Sequence, residues 1–305
     1  MRRISLIISL FLALNVLAQF QLNPKTPIEP MIKCNFYQSS EPFINQTPIV
    51  LNNYGEEVHA PVGCAANVVS QIMYYYKNEG CKSIDAQYIG AEYAHLEALP
   101  STKFNWDLIL SSYEASYTKE QGDEIAKLMK YVGYALETEY SYGKGGSWMR
   151  AKRLPLLGFS SESYETYGKR LSDKELDDLL NKELEKGRPV AMAAYGRNGG
   201  GHWFLIDGRD DTGRFHVHQY GYYILSQELF MSDDENKPQD LLHKLNDVWC
   251  VVPIMPKDWT SIDKATYTAN NNGRVYNLNG QYMGDSLEGL PKGIYIRGGK
   301  KFIVR

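Results

Sequence analysis

Cysteine is scarce in this chain: Cys34, Cys64, Cys81 and Cys250 are the only four in 305 residues. That number cannot build the dense disulfide framework on which small exported domains depend. An excess of either charge is missing too. Lys+Arg is 33 and Asp+Glu is 36, a formal net charge of -3. Nucleic-acid domains usually carry a clear basic excess, so no nucleic-acid partner is expected. Beyond the first residues no run is apolar enough to cross a bilayer, which takes about 20 residues. Internal repeats, a phosphate-binding loop and low-complexity tracts are also lacking. What remains is ordinary globular usage, 43% apolar and 23% charged, which excludes a disordered chain, a collagen-like chain and a coiled-coil rod. The length allows one large domain, alone or with a smaller module. Tyr is abundant at 23, against 10 Phe and 5 Trp; its apolar body and polar tip suit surfaces that hold polypeptides.

The first residues read as an address. Arg2 and Arg3 precede an apolar run from Ile4 to Leu17, and Val16 and Ala18 are spaced like a cleavage site. Residues 1–18 are therefore expected to be a secretory signal peptide, with no membrane anchor, and the mature protein to be secreted or held at the cell surface.

Cys250 lies in the apolar stretch Val248-Trp249-Cys250-Val251-Val252, which reads as a buried strand and makes the thiol inert packing. Cys34 and Cys81 sit in polar stretches and either pair or stay free. Cys64 differs. It follows Pro61-Val62-Gly63 and precedes apolar residues at helical spacing: Ala65, Val68, Val69, Ile72, Met73 and Tyr76. It is expected in the first turn of a buried helix, where free N–H groups and the macrodipole favour thiolate over thiol. The small residues Gly63, Ala65 and Ala66 leave room for another backbone.

The second informative stretch is Gly199-Gly200-Gly201-His202 before Trp203-Phe204-Leu205-Ile206-Asp207-Gly208. The apolar run reads as a buried strand, and the glycines leave space for an extended substrate beside His202. A Cys at a helix start and a His on a distant strand are the pair a thiol nucleophile needs.

With these two motifs on the page, the sequence resembles the streptopain family of bacterial cysteine peptidases, which have a papain-like fold. Pro61-Val62-Gly63-Cys64-Ala65-Ala66 followed by Gln71-Ile72-Met73 looks like that family's nucleophile helix. Phe104-Asn105-Trp106-Asp107-Leu108, Leu128-Met129-Lys130-Tyr131-Val132-Gly133, Lys186-Gly187-Arg188-Pro189-Val190 and Gly200-Gly201-His202-Trp203-Phe204-Leu205-Ile206-Asp207-Gly208 match further segments in order. The resemblance runs from about residue 33 to 254. It implies an α+β, two-layer papain-like fold: a helical part with the nucleophile and an antiparallel sheet part with the His. It implies Cys64 as nucleophile, His202 as its base and acid, and Gln38 as an oxyanion-hole donor. Gly145, Gly146, Ser147 and Gly201 would touch the substrate backbone. Proteins or peptides are the implied partners, and no cofactor or metal is implied; a zinc site on His202, His216 and His218 lacks a familiar completing ligand.

Three departures from the family pattern stand out. Where the family has Asn-Trp-Gly-Trp after its His-Val, this chain reads His218-Gln219-Tyr220-Gly221-Tyr222. Gln219 is expected to hold the second nitrogen of His202, with Tyr220 or Tyr222 covering the contact. His216 and His218 are read as alternating across one strand, not both catalytic. Second, the interval from Ala18 to Gln38 is shorter than the ~40 residues a pro-domain needs to fold unaided. Third, after Pro253-Ile254-Met255-Pro256 the texture turns to Asn, Gly and Tyr, with hairpin signals at Asn272-Gly273, Asn279-Gly280 and Gly298-Gly299. This end resembles the C-terminal sorting modules of Bacteroidetes-type secreted proteins and implies secretion machinery as a partner. The expected domains are 1–18 signal, 19–255 peptidase and 256–305 a small all-β module. The first two departures also fit a papain-like homologue that binds peptides or a partner without turnover.

Amphipathic helices are expected over Glu120–Val132 and Ser172–Lys186, the latter with Ser172 as N-cap. In the last segment, strands are expected over Arg274–Leu278, Gly293–Arg297 and Lys301–Arg305.

Overall fold

In the computed structural model, regular structure among the described residues begins with a short hairpin, β1 (Ile49–Leu51) and β2 (Glu57–His59), that leads into helix α1 (Cys64–Asn78). Residues 25–91, 96–143, 146–167, 169, 171–196, 201–218, 222–224, 245–258, 274–277, 282–297 and 300–304 are described. The residues fall into two compact units, divided between Thr260 and Ser261.

In the first unit, α1 is followed by α2 (Lys119–Ala135) and α3 (Asp173–Glu185). Both later helices start with a capping box: Thr118 with Gln121, and Ser172 with Glu175. Each pairs two first-turn N–H groups that the helix itself leaves open. Helix α1 has no side-chain cap; Gly63 precedes it with φ 93.

Five antiparallel strands form the sheet: β3 (Val190–Gly196), β4 (Gly201–Arg209), β5 (Phe215–Val217), β6 (Tyr222–Ile224) and β7 (Leu245–Pro253), in the order β6-β5-β4-β3-β7. Alternation sends the two faces of the sheet into different cores. Ala191, Ala193, Trp203, Leu205, Cys250 and Val252 pack into the core that α1 and α2 fill. Val190, Met192, Phe204, Ile206, Phe215 and Val251 pack against Leu176, Leu180 and Leu184 of α3. Burial on both faces is why Trp203–Ile206 is one unbroken apolar run.

The N-terminal segment straps the end of β4. Ile28 and Arg209 exchange backbone hydrogen bonds of 2.8 and 2.9 Å, and Met31 N–H donates to the Asp207 carbonyl at 3.0 Å. Gly208 allows this approach, since a Cβ there would stand 2.7 Å from the Ile28 carbonyl oxygen.

At the other end, Pro256 bridges Phe159. Asp258 accepts from Lys82 N–H at 2.8 Å and from Cys81 Sγ at 2.6 Å. These ties keep residues 256–258 with the first unit, so its edge lies past the boundary expected at 255. All four cysteines are free, which decides the open question for Cys34 and Cys81.

The second unit is a four-stranded antiparallel sheet: β8 (Val275–Asn277), β9 (Tyr282–Gly284), β10 (Gly293–Arg297) and β11 (Lys300–Val304), ordered β11-β10-β8-β9.

Candidate active site

Helix α1 opens on Cys64 because Gly63 can take the positive φ that turns the chain into the helix. Gly63 also permits close passage. A Cβ there would lie 3.6 Å from both Ser147 Oγ and Thr138 Cγ2. The helix is buried nearly all round, and Asn67 and Gln71 are among its buried residues.

The sheet half arrives through the start of β4. Trp203 N–H points at Cys64 Sγ, 3.4 Å away. The Trp203 indole donates to the Ser147 carbonyl at 3.1 Å. One residue earlier stands His202, opposite Ala194 of β3. Gln38 enters from the N-terminal segment, whose carbonyl accepts from Val62 N–H at 2.7 Å, two residues before the nucleophile. Cys64, His202, Gln38, Asn67, Gln71, Trp203 and His218 thus line one cavity of about 370 Å³.

Of the residues expected from sequence, Cys64, His202 and Gln38 meet in this cavity. Ser147 is buried beside Gly63, and Gly146 pairs with Glu139. Gly201 is exposed at the first position of β4. Gln219, Tyr220, Gly221 and Gly145 lie outside the described residues, as does the Tyr222 side chain.

Electrostatics differ from the sequence expectation for the thiol. Burial raises the Cys64 pKa; N–H groups of Trp203, Ala65 and Cys64 itself pull it down and do not offset the burial. Burial also holds His202 down, at about 4. Each group on its own is therefore favoured in its neutral form. Cys250 is pushed up to about 12, chiefly by burial, as an inert thiol should be.

The reading of His216 and His218 needs correction. The strand β5 ends at Val217, so the two do not alternate across it, and both imidazoles turn to the fully buried Asp207. His216 Nδ1 is 2.6 Å from Asp207 Oδ1, and His218 Nδ1 is 3.6 Å from Oδ2. Sequence reasoning missed Asp207 as a site neighbour, treating it as the stop of a strand. It also missed Gln71; the available signal was a second amide, after Asn67, on a buried helix, about two turns beyond Cys64.

Comparison with known proteins bears on the family and the fold. Streptopain of Streptococcus pyogenes is 29% identical over 216 residues, covering 66% of this chain and 54% of that protein. The chain thus spans about half the length of the curated streptopains it matches. The thiol protease/hemagglutinin PrtT of Porphyromonas gingivalis is 27% identical over 164 residues, 52% of this chain and 19% of that protein. Among solved structures, active wild-type interpain A, a cysteine protease of Prevotella intermedia, superimposes with a TM-score of 0.59 at 20% identity, covering 76% of this chain and 95% of that one. The likeness establishes the papain-like α+β fold. The sequence pattern described as the Peptidase C10 family matches residues 37–223, and the chain belongs to that family.

Proposed function

We propose that this chain is a secreted cysteine endopeptidase acting on protein or peptide substrates through Cys64 and His202. The observation that carries the reading is the meeting of Cys64 Sγ with the Trp203 N–H, one residue from His202, in a cavity that Gln38 also lines. In the proposed reaction His202 takes the Cys64 proton and the thiolate attacks the peptide carbonyl carbon. Gln38 Nε2 and the Cys64 N–H receive the developing oxyanion. The C–N bond then breaks, His202 gives the proton to the leaving amine, and a thioester remains. His202 next takes a proton from water, whose oxygen attacks the thioester, and the carboxylic acid leaves as the thiol re-forms. Gln219 is proposed to hold the other nitrogen of His202, and Gly146, Ser147 and Gly201 to bind substrate backbone.

An epoxysuccinyl peptide tests this. One equivalent should attach at Cys64, located by peptide mapping, and abolish turnover of a casein-derived substrate. Absence of both label and turnover overturns the reading.

A second reading, a peptide-binding homologue without turnover, has one observation in its favour: burial disfavours the charged form of both Cys64 and His202. It predicts saturable peptide binding with no product. We assign residues 1–18 to export on sequence texture and residues 261–305 to sorting, supported by the separate small sheet of the second unit. A reporter fused to that segment should be exported in a host with the matching machinery.

A further inference from the structure

Two polar side chains from different elements line the cavity of Cys64 and His202, Gln71 of α1 and His218 just past β5, and Asp207 near the end of β4 stands buried beside His218. Asp207 Oδ2 accepts from Ile32 N–H at 2.9 Å and lies 3.6 Å from His218 Nδ1. Across the same ring, His218 Nε2 stands 2.9 Å from the Cys34 carbonyl oxygen and 2.9 Å from Gln71 Oε1. A main-chain carbonyl can only accept. Nε2 must therefore carry a hydrogen, and in the neutral ring Nδ1 is bare. The 3.6 Å to the Asp207 carboxylate is too long for a hydrogen bond from Nδ1. The same logic fixes the Gln71 amide: its oxygen faces the ring, and its Nε2 has no partner among the described residues.

His218 consequently touches three parts of the cleft at once. It directly follows the sheet strand β5. Through Gln71, which is 99% buried, it grips the nucleophile helix. Through the Cys34 carbonyl it grips the segment that leads to Gln38. We propose that His218, fixed as the Nε2–H tautomer, is a positioning residue: it ties the nucleophile helix and the Gln38 segment to the sheet, and so sets Cys64 and Gln38 against His202. The positioning role rests on the peptidase reading; the tautomer and the tie do not. Nε2 of His218 is already engaged by the Cys34 carbonyl and Gln71, which leaves the orienting role to another group.

Two measurements on the full chain test it. A long-range ¹H–¹⁵N correlation at pH 7, assigned against the His218→Gln variant, should show His218 protonated at Nε2 and bare at Nδ1. A ring protonated at Nδ1 overturns the tie. The second measurement is kinetic. The amide nitrogen of Gln overlays the imidazole Nε2 position and keeps a donor for the Cys34 carbonyl, whereas Asn reaches only the Nδ1 position. His218→Gln should stay within about threefold of the parent, while His218→Asn should lose about tenfold or more in kcat with KM little changed and the Tm of the two variants similar. Asn matching or surpassing Gln overturns the positioning role. If the parent turns over no peptide, the same ranking is read in the iodoacetamide alkylation rate of Cys64. A Gln–Asn difference there sustains the tie while the peptidase reading falls; equal rates overturn the tie as well.

Discussion

Gly63 and His202 each occupy an environment unlike a generic position, one in its backbone and one in its burial. At Gly63 the surrounding atoms leave room for a methyl group, the nearest being 3.6 Å from the Cβ site. The cost of Gly63→Ala is thus backbone strain at φ 93, about 1–2 kcal/mol. A lowered Tm with a smaller share of active Cys64 is expected, read by calorimetry and thiol titration. His202 makes a prediction about pH. Burial holds its pKa at about 4 in the fold, against the ordinary histidine value of 6.5. Between those values the unfolded chain binds the extra proton and the fold does not. Stability is therefore complete above 6.5 and falls as the pH drops towards 4, by about 3 kcal/mol at the acid end. His202→Gln removes this contribution, so its Tm should decline less than the parent's from pH 7 to 4.5. A parent no more acid-sensitive than the variant would mean that His202 already carries its proton, as in a thiolate–imidazolium pair.

At the level of elements, local chemistry was readable and long-range chemistry was not. The 172–186 helix was visible in the sequence because Ser172 and Glu175 form a capping box within four residues of chain. Ser172→Ala should cost about 1 kcal/mol, measurable as a shift of the urea midpoint with an unchanged slope. The strand through Trp203–Ile206 was equally plain as an apolar run. The second unit shows the opposite case: β9 (Tyr282–Gly284) was not anticipated, because three residues ending in glycine carry little strand signal. The chemistry around the nucleophile was half readable. Cys64 and His202 announce themselves through their own neighbours. Asp207, Gln71 and the Cys34 carbonyl matter only because folding brings together residues as far apart as 34 and 218, and no local pattern encodes that. The raised thiol pKa escaped for the same reason: the helix start is local, and the burial that outweighs it is not.

For the whole molecule, the division after Thr260 makes truncation informative. A chain ending at 260 should melt close to the parent. A chain ending at 255 loses the Pro256 bridge and the acceptors that Asp258 offers to Cys81 and Lys82. It should melt several degrees lower, about 5 °C for the loss of roughly 2 kcal/mol in a unit of this size. Equal melting of the two truncations would show these ties to be idle. The N-terminal strap bears on a different quantity. It hydrogen-bonds to Asp207 and Arg209 at the end of the His202 strand, then runs on through Asn35 to Gln38. One continuous stretch of chain is therefore seated on the sheet before it lines the Gln38 side of the cleft. A groove stitched in this way has little backbone left to order when a peptide arrives. Association should then forfeit less of its contact energy to conformational entropy than a pair of loosely jointed lobes would.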